Sequence, residues 1–236
     1  MLATLTIIRY KKRYIPFALL AMAIFHIPFW FNPKATFYKL LGCGKNGTFD
    51  KHPDWQQWGM LSVHPGQLIN TNSSIKDLYG LFINSWLKLF NCEVCTFYLE
   101  PIEGHGKWDG KECFGSLPKQ FDYDGPIAIL TRATIRFSQL SPFWKNVGSV
   151  AAQMSTAKGF IASIGIGEIP YIKQATFSIW QSKGHMKAFA YNMKEHAEVI
   201  RKTRKENWYS EDMFVRFKPL KITGTIRGAN PLEGIY

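Results

Sequence analysis

The sequence is short of what most catalytic motifs need. It has no P-loop, no zinc-protease helix motif and no hydrolytic triad signature, which removes the common nucleotide-dependent and hydrolytic classes. Cysteine is scarce. Cys43, Cys92, Cys95 and Cys113 give one C-x-x-C, with no second pair and no histidine at zinc-finger spacing. That pattern fits reduced thiols of a cytosolic protein better than a metal or redox centre. Carboxylates are scarce too: 17 Asp and Glu stand against 29 Lys and Arg, for a net charge of +12. An anionic partner follows, such as a phospholipid surface or an acidic protein. The cations are spread along the chain without a Lys/Arg run interleaved with aromatics, so no nucleic-acid surface is expected.

What is plentiful is aromatic and apolar. Aromatics make up 15% of the chain, enough for a core plus a large cavity or a membrane-facing surface. "YIPFALLAMAIFHIPFWF" (14–31) follows "RYKKR" and sits at the lower edge of a spanning length, with His26 and Pro28 inside it. No small-residue cleavage pattern follows, and "LATLTIIRY" before the basic cluster reads as a strand. The expectation is a buried or membrane-dipping helix of a cytoplasmic protein on the inner face of the cell membrane.

"GFIASIGIGEIPYIKQATFSIW" (159–180) holds a G-x-G, Gly165 and Gly167. A dinucleotide loop needs a third glycine and an opening helix. Here Pro170 takes that position, and "QATFSIW" reads as strand. "TFYKLLGCGKN" (36–46) aligns with "GFIASIGIGEI" (159–169), so the G-x-G occurs twice. "LSVH" (61–64) matches "FSIW" (177–180), "FYLEPIEG" (97–104) matches "VRFKPLKITG" (215–224), and Ile8-Arg9-Tyr10 faces Ile135-Arg136-Phe137. Each half therefore reads strand, helix, strand, strand, helix, strand, the ferredoxin-like βαββαβ order. The expected fold is α+β: repeat one at 1–104, a Gly/Pro-rich linker at 105–126, and repeat two at 127–236, packed as a single-chain dimeric α+β barrel. Helices are expected at 14–30, 74–91, 143–156 and 183–207.

Among titratable groups, Glu195 and Glu198 sit beside Lys194 and Arg201 as a solvated helix face. His185 and His196 fall in the last helical region, eleven residues apart. Three turns of helix separate them, too far to share one metal, but a single helical histidine facing an aromatic cavity suffices as an axial haem ligand. Surface or core placement is the alternative for both.

"LTRATIRFSQLSPFWKNV" (130–147), "IGIGEIPYIKQATFSIW" (164–180) and "HAEVIRKTRKENWYSEDMFVRF" (196–217), with "FYKLLGCGKNGTF" (37–49) and "GKWDGKECF" (106–114), resemble the spheroidene monooxygenase family. That resemblance implies a b-type haem enzyme that uses O2 and reduced ferredoxin. Its implied reaction places a keto group near the end of a linear carotenoid, or of another long polyene. It implies His196 as the iron ligand, with His185 second. Arg132 would be a haem-propionate partner or a distal donor, or an outward strand arginine. Gln174 would contact bound oxygen or be merely solvated, and Glu168 would orient a water or a propionate-binding cation. Gly165 and Gly167 would let a flat ligand approach, and Trp180 and Trp208 would wall the pocket or pack the core. The alternatives are an aldoxime dehydratase-like haem enzyme on the same fold and a haem- or lipid-binding protein without turnover.

Overall fold

The computed structural model describes residues 1–45, 50, 52–66, 69–192, 201–203 and 205–231. The fold is α+β and consists of two compact units. The first comprises Met1–Cys43, Asp54–Pro101 and Pro219–Tyr236; the second comprises Gly44–Pro53 and Ile102–Lys218. Each follows the βαββαβ order expected from the repeats.

In the first unit, β1 (Leu2–Arg9) lies between β3 (Pro53–His64) and β4 (Glu93–Gly106), antiparallel to both, and β2 (Phe37–Gly44) neighbours β3. The 14–31 stretch forms two helices, α1 (Ile15–Ile24) and α2 (His26–Trp30). Pro28 explains the break, since its ring clashes with the carbonyl of Ile24, four residues back. α3 (Ile75–Leu89) starts at Ser74, whose hydroxyl and Asp77 form a reciprocal capping box. Gly80, with φ 87° and ψ 173°, interrupts α3 just after Tyr79, in a conformation essentially reserved for glycine. Ala18, Ala21, Phe25 and Phe29 pack with Leu78, Ile83 and Leu87 into one core on this sheet.

In the second unit, β5 (Ile127–Ile135) pairs antiparallel with β7 (Lys173–Trp180) and β8 (Tyr209–Gly224), and β7 pairs with β6 (Phe160–Ile169). α4 (Leu140–Ser155) follows a short 3-10 turn at Phe137–Gln139, and α5 covers Lys183–Asn192. Residues 105–126 pack within this unit: Trp108 and Phe114 are buried, and Trp108 bridges to Lys111. Their glycines serve turns, with Gly106, Gly110 and Gly115 at positive φ.

Ladder pairing refines the match between the copies. Thr4 pairs with Ser62, and Ile129 with Ser178. Since Ser62 and Ser178 occupy matched positions, Tyr10 corresponds to Ile135 rather than to Phe137.

Candidate active site

A cavity of about 970 Å³ opens wholly within the second unit, between one face of its sheet and helices α4 and α5. Alternation along the strands decides its floor. Register sets three rows across β7, β5 and β8: Gln174–Ala133–Asp212, Thr176–Thr131–Phe214 and Ser178–Ile129–Arg216. All nine residues line the cavity. α4 contributes Phe143, Val147, Ala151 and Met154, and α5 contributes Met186, Phe189 and Ala190. The helices thus supply an apolar roof over a mixed polar floor, the composition of a small-molecule site.

One end is charged. Glu103 and His105, at the end of β4, line the cavity with Lys119, Lys183, Lys187 and Arg216. Glu103 is buried and takes bonds from Arg216, from Lys183 Nζ at 2.7 Å and from the Phe121 amide at 3.2 Å. Arg216 also lies over the Phe214 ring at 4.7 Å. Its Nε is buried without a hydrogen-bond partner among the described residues. Burial pulls the Arg216 pKa below its ordinary value, and the group stays a cation far above neutrality. Two cations against one carboxylate, with an unmatched donor, make this end receptive to an anion.

The expected site residues separate by sheet face. Trp180 lines the cavity, donates its Nε1–H to Ser178 at 3.0 Å and packs against Phe189 at 5.2 Å. Gln174 also lines it and bonds the Ile169 carbonyl. Arg132 touches the cavity wall, yet alternation turns its guanidinium to the other face. There Glu211 and Asp109 accept from it, Glu168 lies 4.0 Å away and Trp108 lies beneath. Glu168 accepts from Trp108 Nε1 at 2.8 Å and does not line the cavity. Burial works to raise the Glu211 pKa, but the Gly110 and Asp109 amides and Arg132 bring it below the usual range. This cluster is a charge network of the fold, built around one buried arginine with partly exposed carboxylates.

Gly165 and Gly167 pair with Thr176 and Gln174, one strand beyond the lining residues. At Gly167 a Cβ would meet the Lys173 carbonyl at 2.9 Å and the Gln174 amide at 3.1 Å, so this glycine answers to its own hairpin. Trp208 is buried with Phe143 and Ile135 and donates to Glu206, outside the lining. His185 packs its ring on Gly159, at whose Cβ position it would lie within 2.3 Å, and Nδ1 bonds Ser182 at 2.9 Å. His196 lies outside the described residues. Among the described histidines, His105 alone lines the cavity, its ring 5.8 Å from Phe214.

Composition and spacing do not single out Glu103, Lys183 and Arg216. A signal existed: "MFVRFKPL" and "EPIEGHG" each place a charge inside a strand pattern where apolar residues are expected.

No family model matches the chain. It is 35% identical over 202 residues to the spheroidene monooxygenase of Cereibacter sphaeroides, a match that covers 85% of this chain and 60% of that protein's length. It is 30% identical over 223 residues to the spheroidene monooxygenase of Rhodobacter capsulatus, covering 92% of this chain and 89% of that one. With the Rubrivivax gelatinosus protein of the same name it shares 34% identity over 199 residues, 84% of this chain and 73% of that one. An aldoxime dehydratase solved with butyraldoxime superposes over 94% of this chain and 79% of its own, with a TM-score of 0.56 at 9% identity. A second aldoxime dehydratase gives the same score over 95% of this chain and 81% of its own. These two show the fold alone. By its identity across most of the Rhodobacter and Rubrivivax proteins, the chain belongs to the spheroidene monooxygenase family.

Proposed function

We propose that this protein is a haem b-dependent monooxygenase that uses O2 to place a keto group, by way of a hydroxyl, near one end of a long linear carotenoid. Family membership supplies the reaction class. Within the molecule, the observation that carries the cofactor is Arg216: a buried cation in the cavity wall whose Nε lacks a partner among the described residues. Haem carries two carboxylates at one edge of a flat apolar ring, and the cavity has a cationic end and an apolar roof. The residues fit the group. Arg216, Lys183 and Lys187 would hold the propionates, and Trp180 and Phe189 would lie against the macrocycle. His196 would ligate the iron, since His185 is turned to Gly159 and Ser182.

Haem bound there would supply O2 activation. The chain's own task is to orient the polyene and exclude bulk water. The apolar residues of α4 and α5 do both, admitting a stiff conjugated chain lengthwise, so oxidation falls near its end. Each hydroxylation consumes one O2, two electrons and two protons, and one oxygen atom leaves as water. Two rounds at one carbon give a diol that loses water to the ketone. A reduced ferredoxin is the proposed electron source, and the net charge of +12 suits such an acidic partner. The proposed location is the cytoplasmic face of the membrane, where a polyene substrate partitions.

The test begins with the purified protein and added haem. We expect a Soret band, a ferrous–CO shift, and loss of most haem in His196→Ala. Arg216→Gln should weaken haem retention while Arg216→Lys keeps part of it. Haem retained in His196→Ala but lost in His105→Ala would move the ligand to β4. Co-expression with an acyclic carotenoid pathway should yield end-group oxygen from labelled O2. Unchanged pigments in cells holding the loaded protein and a ferredoxin system would overturn the oxidation.

A further inference from the structure

The first unit has a surface that the proposed reaction does not use. Its helical layer exposes large apolar side chains: Phe17 and Leu20 on α1, Phe82 and Leu89 on α3, and Trp30 and Phe31 where α2 ends. Trp30 and Phe31 are 71% and 81% exposed, which a soluble surface rarely tolerates together. The rings form a connected layer beneath: Phe17 stacks on Phe90 at 4.6 Å, Phe90 meets Trp86 at 4.8 Å, and Phe82 touches both Trp86 and Phe25.

Charge identifies what this layer meets. The first acidic residue of the chain is Asp50, and before it stand Arg9, Lys11, Lys12, Arg13, Lys34, Lys39 and Lys45. Lys11, Lys12 and Arg13 are exposed directly ahead of α1, and Lys34 is exposed just beyond Phe31. Apolar rings bracketed by cations, with Asp77 at the start of α3 the one carboxylate within α1, α2 and α3, complement a bilayer of anionic lipid rather than the mixed-charge surface of an ordinary protein partner.

The geometry also says how the layer would sit. Residues 12–30 are long and apolar enough to cross a membrane by length and composition. A lone spanning helix, however, faces lipid all round. Here Ala18, Ala21, Phe25 and Phe29 are buried in the first unit's own core, and the helix breaks after Ile24. Ten residues of α1 reach about 15 Å, half of the roughly 30 Å hydrocarbon layer.

We infer that the α1–α2–α3 layer of the first unit docks in the plane of an anionic membrane, with its rings in the interface and Lys11–Arg13 on the headgroups. The inference deepens the membrane location given under the proposed function and needs neither haem nor turnover. The test is flotation of the full-length protein with phosphatidylcholine vesicles and with vesicles containing phosphatidylglycerol, at low and high salt. We expect binding to the anionic vesicles, partly resistant to salt. Lys11→Ala/Lys12→Ala/Arg13→Ala should weaken it on the order of a hundredfold. Trp30→Ser/Phe31→Ser, exposed enough to leave folding intact, should remove the salt-resistant part. Three results of the vesicle and solution measurements would overturn the inference. They are no vesicle binding, binding that both variants leave unchanged, and a dimer in solution that Trp30→Ser/Phe31→Ser dissolves. Extraction by detergent alone would also overturn it, in favour of a spanning segment. Loss of vesicle binding with haem uptake intact would leave the oxidation reading standing, so the two proposals fail separately.

Discussion

At matched positions of the two sheets the first unit has Thr4, Thr6, Ser62 and Thr96, where the second has Ile129, Thr131, Ser178 and Phe214. In the first unit the hydroxyls find one another. Thr4 bonds Ser62 at 2.8 Å and Thr6 bonds Thr96 at 2.9 Å. Tyr79 then closes the layer from α3, its hydroxyl 2.7 Å from Thr6 and 3.1 Å from Thr4. His64 extends the chain through Ser62 at 2.8 Å and fixes its other nitrogen on the Lys34 carbonyl. In the second unit Trp180 takes the matched position of His64 and Arg216 that of Tyr98, while small residues such as Ala151 and Ala190 on the helices leave the space open. The same architecture thus yields a sealed layer or a cavity, depending on whether a helix sends a large side chain down to the sheet.

The largest effect should come from unsealing the first unit. Tyr79→Ala removes a fully buried ring and strips Thr4 and Thr6 of a partner. It should cost about 3–5 kcal/mol in denaturant unfolding. Tyr79→Phe keeps the volume and should cost about 1–2 kcal/mol. A loss of under 0.5 kcal/mol in Tyr79→Ala would contradict the sealed-layer account.

A second comparison adds volume on each side. Ala21→Leu pushes a branched side chain into the close-packed first core and should cost about 1–3 kcal/mol. Ala151→Leu points into the cavity and should leave stability within about 0.5 kcal/mol while it suppresses haem uptake. Equal losses of stability in both variants would mean that the second unit is as tightly packed as the first.

The smallest effect is a pH dependence confined to the sealed side. Burial holds the His64 pKa below its ordinary value of 6.5, while the Lys34 carbonyl works the other way. Nδ1 donates to that carbonyl, so neutral Nε2 accepts from Ser62, and protonation forces the hydroxyl to reverse. The folded state binds this proton more weakly than the unfolded state. Its contribution is therefore complete above 6.5 and is lost as pH falls below that value toward the folded pKa. Melting temperature should drop between about pH 7 and about pH 5, and His64→Gln should flatten part of that drop. An unchanged slope in His64→Gln would place the acid sensitivity elsewhere.

The sequence alone determined the two βαββαβ copies, because alternation and turn chemistry are local properties. The helix expected from residue 74 is α3, and Pro170 after the second G-x-G ruled out a phosphate loop. It did not determine the register between the copies. Its alignment of Tyr10 with Phe137 was off by two residues, and a two-residue slip keeps every side chain on its own face, so apolar patterning is blind to it. Tertiary structure alone decided which strand arginine serves the cavity. Arg132 and Arg216 both sit among apolar residues, but carboxylates far away in sequence settle their roles: Glu211 and Asp109 engage the first on one sheet face, and Glu103 meets the second on the other. A buried cation is placed by the charges that fold around it, and such partners leave no periodic trace in the chain.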